Sequence, residues 1–278
     1  MAYEILKPKT DILFKMIFAD ENNGDMLKRF LSDTLDIPYD EISDIQIENS
    51  EIPPDNIGGK LSRMDIRMTV GDRAIDVEVQ LRNKGDFVER SLFYWAKLYS
   101  RDLNSGDSYS ELRKGIVLNL IDFILFDDTD EFYSKFLPLE EKRHTLLSDK
   151  MEIHFYELPK VSMKEGANEP KKMWMQFMNA DSEEDLIMLG RTEIPEIKKG
   201  VNIIKDLSAD AILRERIRAR EDAERDYYSA MASAEKIGLS RGMKQGMAQG
   251  MAQGRSDLLS QLLAAGAIDK NTFDKFSE

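Results

Sequence analysis

Three side chains set close together in this sequence could do chemistry: Asp65, Glu78 and Gln80. They fall in residues 60–80, KLSRMDIRMTVGDRAIDVEVQ, where two runs of alternating polar and apolar residues flank Gly71-Asp72. That pair suits a two-residue hairpin turn with glycine at its first, positive-φ position. Val70 then pairs with Arg73, and the rest of the register follows. Met64 with Val79, Ile66 with Val77 and Met68 with Ile75 fall on one face, and Arg63 with Gln80, Asp65 with Glu78 and Arg67 with Asp76 on the other. A slip of one residue would mix the two sets, so the pattern supports this register.

Directly opposite carboxylates have Cβ atoms about 4.5–5.5 Å apart, where like charges destabilise a sheet. A shared proton, the neighbouring arginines or a divalent cation would offset that repulsion. Two carboxylates with the carbonyl oxygen of Gln80 or of the backbone make an all-oxygen set suited to Mg²⁺ or Mn²⁺, with water in the remaining positions. Two solvated carboxylates flanked by Arg63 and Arg67 on an exposed face would satisfy the same pattern without a metal.

The elements that must position this hairpin read as α/β. Thr10 is placed to cap a helix carrying Leu13, Phe14, Ile17 and Phe18 as an apolar stripe, and helical periodicity resumes through Met26, Leu27, Phe30, Leu31 and Leu35. Residues 42–52 alternate as a strand, and Pro53-Pro54 to Gly58-Gly59 is a loop by composition. After the hairpin, Asp86 is placed to cap a helix running to about Leu103. Residues 115–125, rich in Ile, Val and Leu without alternation, read as a strand buried on both faces, and residues 151–158 as a further strand. The order implies a mixed sheet flanked by helices. From about residue 161 the pattern is helical with no strand, which divides the chain at the sequence level into 1–160, a helical region 161–235, and a tail 236–278.

The tail carries an internal repeat, Gly238, Gly242, Gly246, Gly250 and Gly254, with Met243, Met247 and Met251 in step. Five glycines cost a helix about 5 kcal/mol relative to alanine. The segment is therefore a flexible tether or a helix whose glycine stripe packs against a partner, and we expect self-association through the C-terminal helices. Arg241, Lys244, Arg255 and the glutamines argue against a membrane span.

The 278 residues include no cysteine, which excludes disulfides and thiolate chemistry, and the net charge of −13 argues against a generally basic nucleic-acid-coating surface. A local basic groove remains compatible with it. There is no apolar run of signal-peptide or membrane-spanning length, so the expected location is cytoplasmic. His144 and His154 are isolated and read as structural.

Taken together, Lys9-x-Asp11-x-x-Phe14-Lys15, Asp65-Ile66, Glu78-x-Gln80, Arg90 with Tyr94, and Glu157-Leu-x-Lys160 resemble the PD-(D/E)XK nuclease family transposases, the recombination-promoting nucleases. The resemblance implies a restriction-endonuclease-like fold and Mg²⁺- or Mn²⁺-dependent cleavage of DNA, linked to recombination or mobile-element and defence biology. Asp65 matches the first metal-binding acid and Glu78 the acid of the E-x-K motif. Gln80 stands where many relatives of the wider superfamily have lysine, which would orient the attacking water and stabilise charge on the phosphate. Glutamine can orient water or ligate metal but supplies no charge, so Arg63 or Lys60 would have to substitute. The same resemblance makes Asp11 an accessory acid and brings Lys15, Arg90 and Tyr94 to the substrate, the first two as phosphate contacts. Tyr94, Trp95 and Tyr99 also suit plain helix packing. The alternative function is a non-catalytic DNA-binding or partner-binding module that keeps the fold.

Overall fold

The computed structural model describes residues 4–43, 45–48, 65–83, 85–100, 108–164 and 168–277, with Asp65 and Ser277 described as backbone only. Lys60, Arg63, Met64 and the Pro53–Gly59 loop lie outside the described residues.

Helix α1 (Asp11–Phe18) begins after Thr10, whose hydroxyl donates to Lys7 O at 2.9 Å instead of capping the helix. Helix α2 (Gly24–Leu35) follows, and both bury the apolar stripes that their periodicity implied. A short strand, β1 (Gln46–Ile47), leads to the hairpin of β2 (Asp65–Val70) and β3 (Arg73–Gln80). The hairpin has the expected register: Val70 is opposite Arg73, Met68 opposite Ile75 and Asp65 opposite Glu78. Gly71 takes φ of 58°, the left-handed region that the turn reserves for glycine.

Helix α3 (Phe87–Ser100) crosses from β3 to the parallel strand β4 (Lys114–Ile121), and β5 (Tyr133–Phe136) and β6 (Met151–Glu157) complete the sheet. Among the described residues the strand order is β1-β2-β3-β4-β6-β5, with β3, β4 and β6 mutually parallel and the remaining pairs antiparallel. This is a mixed sheet flanked by helices, consistent with a restriction-endonuclease-like fold. β4, at its centre, is buried on both faces, as its run of Ile, Val and Leu without alternation implied.

The two sheet faces pack differently. On one, Ile66, Met68, Ile75, Val77, Val79, Ile116, Leu118 and Leu120 join the residues of α1 and α2 in the larger core. On the other, Ala74, Val117, Ile121, Ile153 and Phe155 meet Phe87 and Leu98 of α3 in a smaller core. The hairpin's polar face lies on this second side. Its two acids on β3 are removed from water: Asp76 is 0% and Glu78 4% exposed.

Helices α4 (Pro170–Asn179), α5 (Glu183–Leu189) and α6 (Pro195–Ala209) add Trp174, Phe177, Leu186, Ile197 and Ile204 to the larger core. Ser182 caps α5 by accepting from Asp185 N at 3.2 Å. Helix α7 (Ala211–Ala264) contributes Leu213 and Ile217 to that core. The chain thus divides into two compact units, Met1–Ile217 and Arg218–Glu278, with α4 to α6 sharing the core of the sheet. In the second unit the repeat glycines lie on α7, and a Cβ built at any of the five would meet nothing within 4 Å. Helix α8 (Lys270–Ser277) follows, its Phe276 carbonyl accepting from Arg255 of α7 at 2.6 Å.

Candidate active site

Alternation along strands and the observed register assign every polar group near Glu78 to a row. Asp65, Glu78, Asn119 and Phe155 form one row across β2, β3, β4 and β6; Arg67, Asp76, Val117 and Ile153 form the next. Gln80, Ile121 and Glu157 form the row beyond Glu78. Since Val117, Ile121, Ile153 and Phe155 all pack in the smaller core, these rows share the face that α3 covers. The predicted pair, Asp65 and Glu78, is therefore brought together, with the Glu78 side chain almost wholly removed from water.

Repulsion between the acids of adjacent rows is offset in part by Arg67, whose Nε stands 3.5 Å from Asp76 Oδ1. Gln80 is fixed at both ends of its amide: Nε2 donates to Arg82 O at 3.0 Å, and Oε1 accepts from Arg90 Nη2. Arg90 reaches down from the first turn of α3, its guanidinium 4.7 Å from the Phe87 ring centroid. Tyr94, one turn further on, is buried at 7% exposure. Arg90 thus joins the Gln80 row. Asp11 and Lys15 lie one turn apart on α1, both buried, with Lys15 Nζ 3.3 Å from Asp11 Oδ1.

Lys9, Glu157 and Lys160, from two of the motifs that carry the family resemblance, fasten the fold together. Glu157, 1% exposed, accepts from Leu125 N at 2.6 Å and Phe126 N at 3.2 Å with one oxygen and from Lys160 Nζ at 2.7 Å with the other. Lys160 also donates to Phe126 O at 2.6 Å, so the pair pins the chain leaving β4. Lys9 reaches Asp122 Oδ1 at 2.9 Å and Asn179 Oδ1 at 3.2 Å, tying the N-terminal segment to the end of β4 and to α4.

One residue of the Glu78 row escaped the sequence reading. Asn119 is fully buried beside Glu78, and its Nδ2 donates to Ser91 Oγ of α3 and to His154 O, each at 3.0 Å. The signal was present: a single amide within the run IVLNLI of a buried strand must find partners, because an unsatisfied buried polar group is costly.

On the opposite face, His154 has a structural setting. Its Nε2 lies 3.1 Å from Glu152 Oε2 and its Nδ1 3.0 Å from the Tyr133 hydroxyl. A carboxylate only accepts, so Nε2 carries the proton and Tyr133 donates to Nδ1. Burial holds the His154 pKa below its usual value, against the raising effect of Glu152. Burial alone would raise the Glu152 pKa, but hydrogen bonds from His154, Lys114 and Lys135 outweigh it and hold the carboxyl well below the usual range. Burial, with the charges of Asp36 and Glu152, pushes the Tyr133 phenol well above its usual value.

The donor set fits a hard divalent cation. The backbone register sets Asp65 opposite Glu78, and both residue types offer oxygen ligands of the kind Mg²⁺ and Mn²⁺ take with water completing the shell. Among the described residues, no group of three or more His, Asp or Glu side chains is placed to hold a metal ion. No helix among them is long and apolar enough to cross a membrane. No curated protein and no solved structure matches the chain significantly. The model of the PD-(D/E)XK nuclease family transposases matches residues 8–234, most of the chain, and the chain belongs to that family.

Proposed function

For a chain of this family, we propose a metal-dependent DNA endonuclease that hydrolyses phosphodiester bonds, with Asp65 and Glu78 holding Mg²⁺ or Mn²⁺. The observation that supports the reading is the hairpin register: it sets the two acids opposite one another in a row otherwise sealed by α3. When bound, the cation would supply positive charge at the scissile phosphate and ease ionisation of a water molecule. The low-dielectric surroundings of Glu78 strengthen every charge interaction made there. In the reaction the water oxygen bonds to phosphorus as the P–O ester bond breaks; the water's proton passes to solvent and the leaving oxygen takes one from solvent. Lys15, Arg90 and Tyr94 are assigned to the substrate and Asp11 to an accessory role. A cytoplasmic enzyme acting in recombination or mobile-element biology is the setting that best suits a cysteine-free nuclease of this family.

The test is supercoiled plasmid incubated with the protein and Mg²⁺ or Mn²⁺. Wild type should convert it to open circles, and Asp65→Ala and Glu78→Ala should each do so about 100-fold more slowly or worse. Absence of metal-dependent nicking, or nicking by both variants at the wild-type rate, would refute the enzyme. Binding of DNA without nicking would favour the non-catalytic module, a reading that the glutamine at position 80 supports.

We also assign self-association to the C-terminal helices. Support comes from the open glycine stripe of α7 and the exposed Met243, Met247 and Met251 beside it, since among the described residues no side chain packs against the glycines to offset their helical cost.

A further inference from the structure

The proposed site has two acids and a neutral amide where a positive charge is needed. Cations do lie in the surrounding structure, but most are already neutralised. Lys9 pairs with Asp122 at 2.9 Å, Lys15 with Asp11 at 3.3 Å, Arg67 with Asp76 at 3.5 Å and Lys160 with Glu157 at 2.7 Å. Arg90 is held differently. Its anchor is the Gln80 amide, which carries no charge, and no Asp or Glu among the described residues forms an ion pair with it. The guanidinium therefore keeps its full unit of charge beside Gln80, two residues beyond Glu78 on β3.

It is also aimed. One edge is fixed by Gln80 Oε1 and one face by the Phe87 ring at 4.7 Å. The amide cannot turn over, because Nε2 is committed to Arg82 O at 3.0 Å; a flip would set a carbonyl against a carbonyl and an N–H against a guanidinium. Of the five guanidinium N–H donors, Nε is buried and Nη2 gives one to Gln80, which leaves the other Nη donors without an acceptor among the described residues. Donors remain for a phosphate, which a guanidinium engages two at a time.

We propose that Arg90 supplies the positive charge to the scissile phosphate, and that Gln80 is a positioning residue that aims Arg90 instead of a ligand for metal or water. The assignment rests on the nuclease reading above. A guanidinium stays protonated, so Arg90 stabilises charge and orients the phosphate but takes no proton from the attacking water. A neutral anchor suits this task better than a carboxylate, which would cancel the charge that it positions.

The experiment compares nicking rates and short-duplex affinity for Arg90→Ala, Gln80→Ala, Gln80→Lys and the double variant Gln80→Lys with Arg90→Ala, each checked for a wild-type melting profile. Arg90→Ala should slow nicking about 100-fold. Gln80→Ala should slow the rate at saturating DNA about tenfold with little change in affinity, since the charge remains but loses its aim. Gln80→Lys should recover at least about tenfold of the rate lost in Arg90→Ala, because it returns a cation to the same row; a merely structural arginine would not be rescued in this way. Arg90→Ala within about threefold of wild type, or a folded double variant without rescue, overturns the assignment while leaving the nuclease standing. If wild type itself does not nick, the nuclease reading fails and affinity decides about Arg90. Arg90→Ala must then weaken duplex binding at least about fivefold while Arg113→Ala, altered at the opposite end of β4, does not. Equal affinities overturn it.

Discussion

Gly200→Ala is expected to destabilise the first compact unit although it replaces a poor helix former with the best. Gly200 is fully inside α6, where alanine should contribute about 1 kcal/mol through backbone entropy. Against this, a Cβ at position 200 would lie 2.7 Å from Met26 Cε and 2.7 Å from both Cε2 and Cζ of Phe177, where ordinary contact begins near 3.4 Å. Met26 can yield at its flexible tip. Phe177 cannot, for its ring is 0% exposed and packs edge-on against Trp174 at 5.8 Å and Phe18 at 6.4 Å. Overpacking of this kind costs about 1–3 kcal/mol, and a rigid ring places it toward the upper end. The net is a loss of about 1–2 kcal/mol, or about 2–8 °C in Tm for a unit of this size. Gly24→Ala is the matched control: it opens α2 in the same unit with nothing within 4 Å of its Cβ, and should be neutral to mildly stabilising. Urea titration followed by tryptophan fluorescence reads both, since Trp174 is in this core and the slope should not change. A Gly200→Ala protein as stable as wild type, or more so, would refute the claim that α6 approaches α2 and α4 too closely for a side chain.

Acid should weaken the fold in two stages. His154 is held neutral in the fold by burial, so the unfolded chain takes up a proton that the native one does not as pH falls below the usual value of 6.5; stability present above that pH is lost below it. Glu152, its pKa lowered in the fold, adds a second loss below the usual 4.5. The chain has only two histidines and His144 is exposed, so His154→Gln should remove the upper stage; a urea midpoint flat between about pH 7.5 and 5.5 in wild type would contradict this. For the tail, light scattering should give a larger mass per particle, in chain equivalents, for the full chain than for one ending at Lys236, and an unchanged value would leave α7 a tether.

The hairpin was legible to the residue because turn chemistry and alternation are local: Gly71 sets the turn, and the pleat then dictates that Asp65 meets Glu78. What covers the polar face was not legible. Alternation looks the same whether Asp76 and Glu78 meet water or α3, and only the crossover of α3 onto β3 and β4 buries them. The partner of Gln80 was hidden for the same reason, since Arg90 is ten residues away on another element. β5 was missed because four residues, YSKF, contain no period long enough to read, and its place is set by pairing with β6. The loop of residues 164–170 has the composition of a domain boundary, yet Trp174 and Phe177 beyond it belong to the sheet's own core. Composition reports solvation of a segment, not which core its neighbours fill.

Among the described residues the sheet's outermost strands are also its shortest, two residues in β1 and four in β5. An edge of that length offers an incoming extended chain few free amide and carbonyl groups, and β5 further carries Lys135, whose charge is engaged with Glu152 at 3.0 Å. The parallel strands β3, β4 and β6, the slowest to pair and the most adhesive if left open, are enclosed between these edges. Edges this short, as the described residues show them, work against templated polymerisation through the sheet, a hazard that its long hydrophobic central strand would otherwise present.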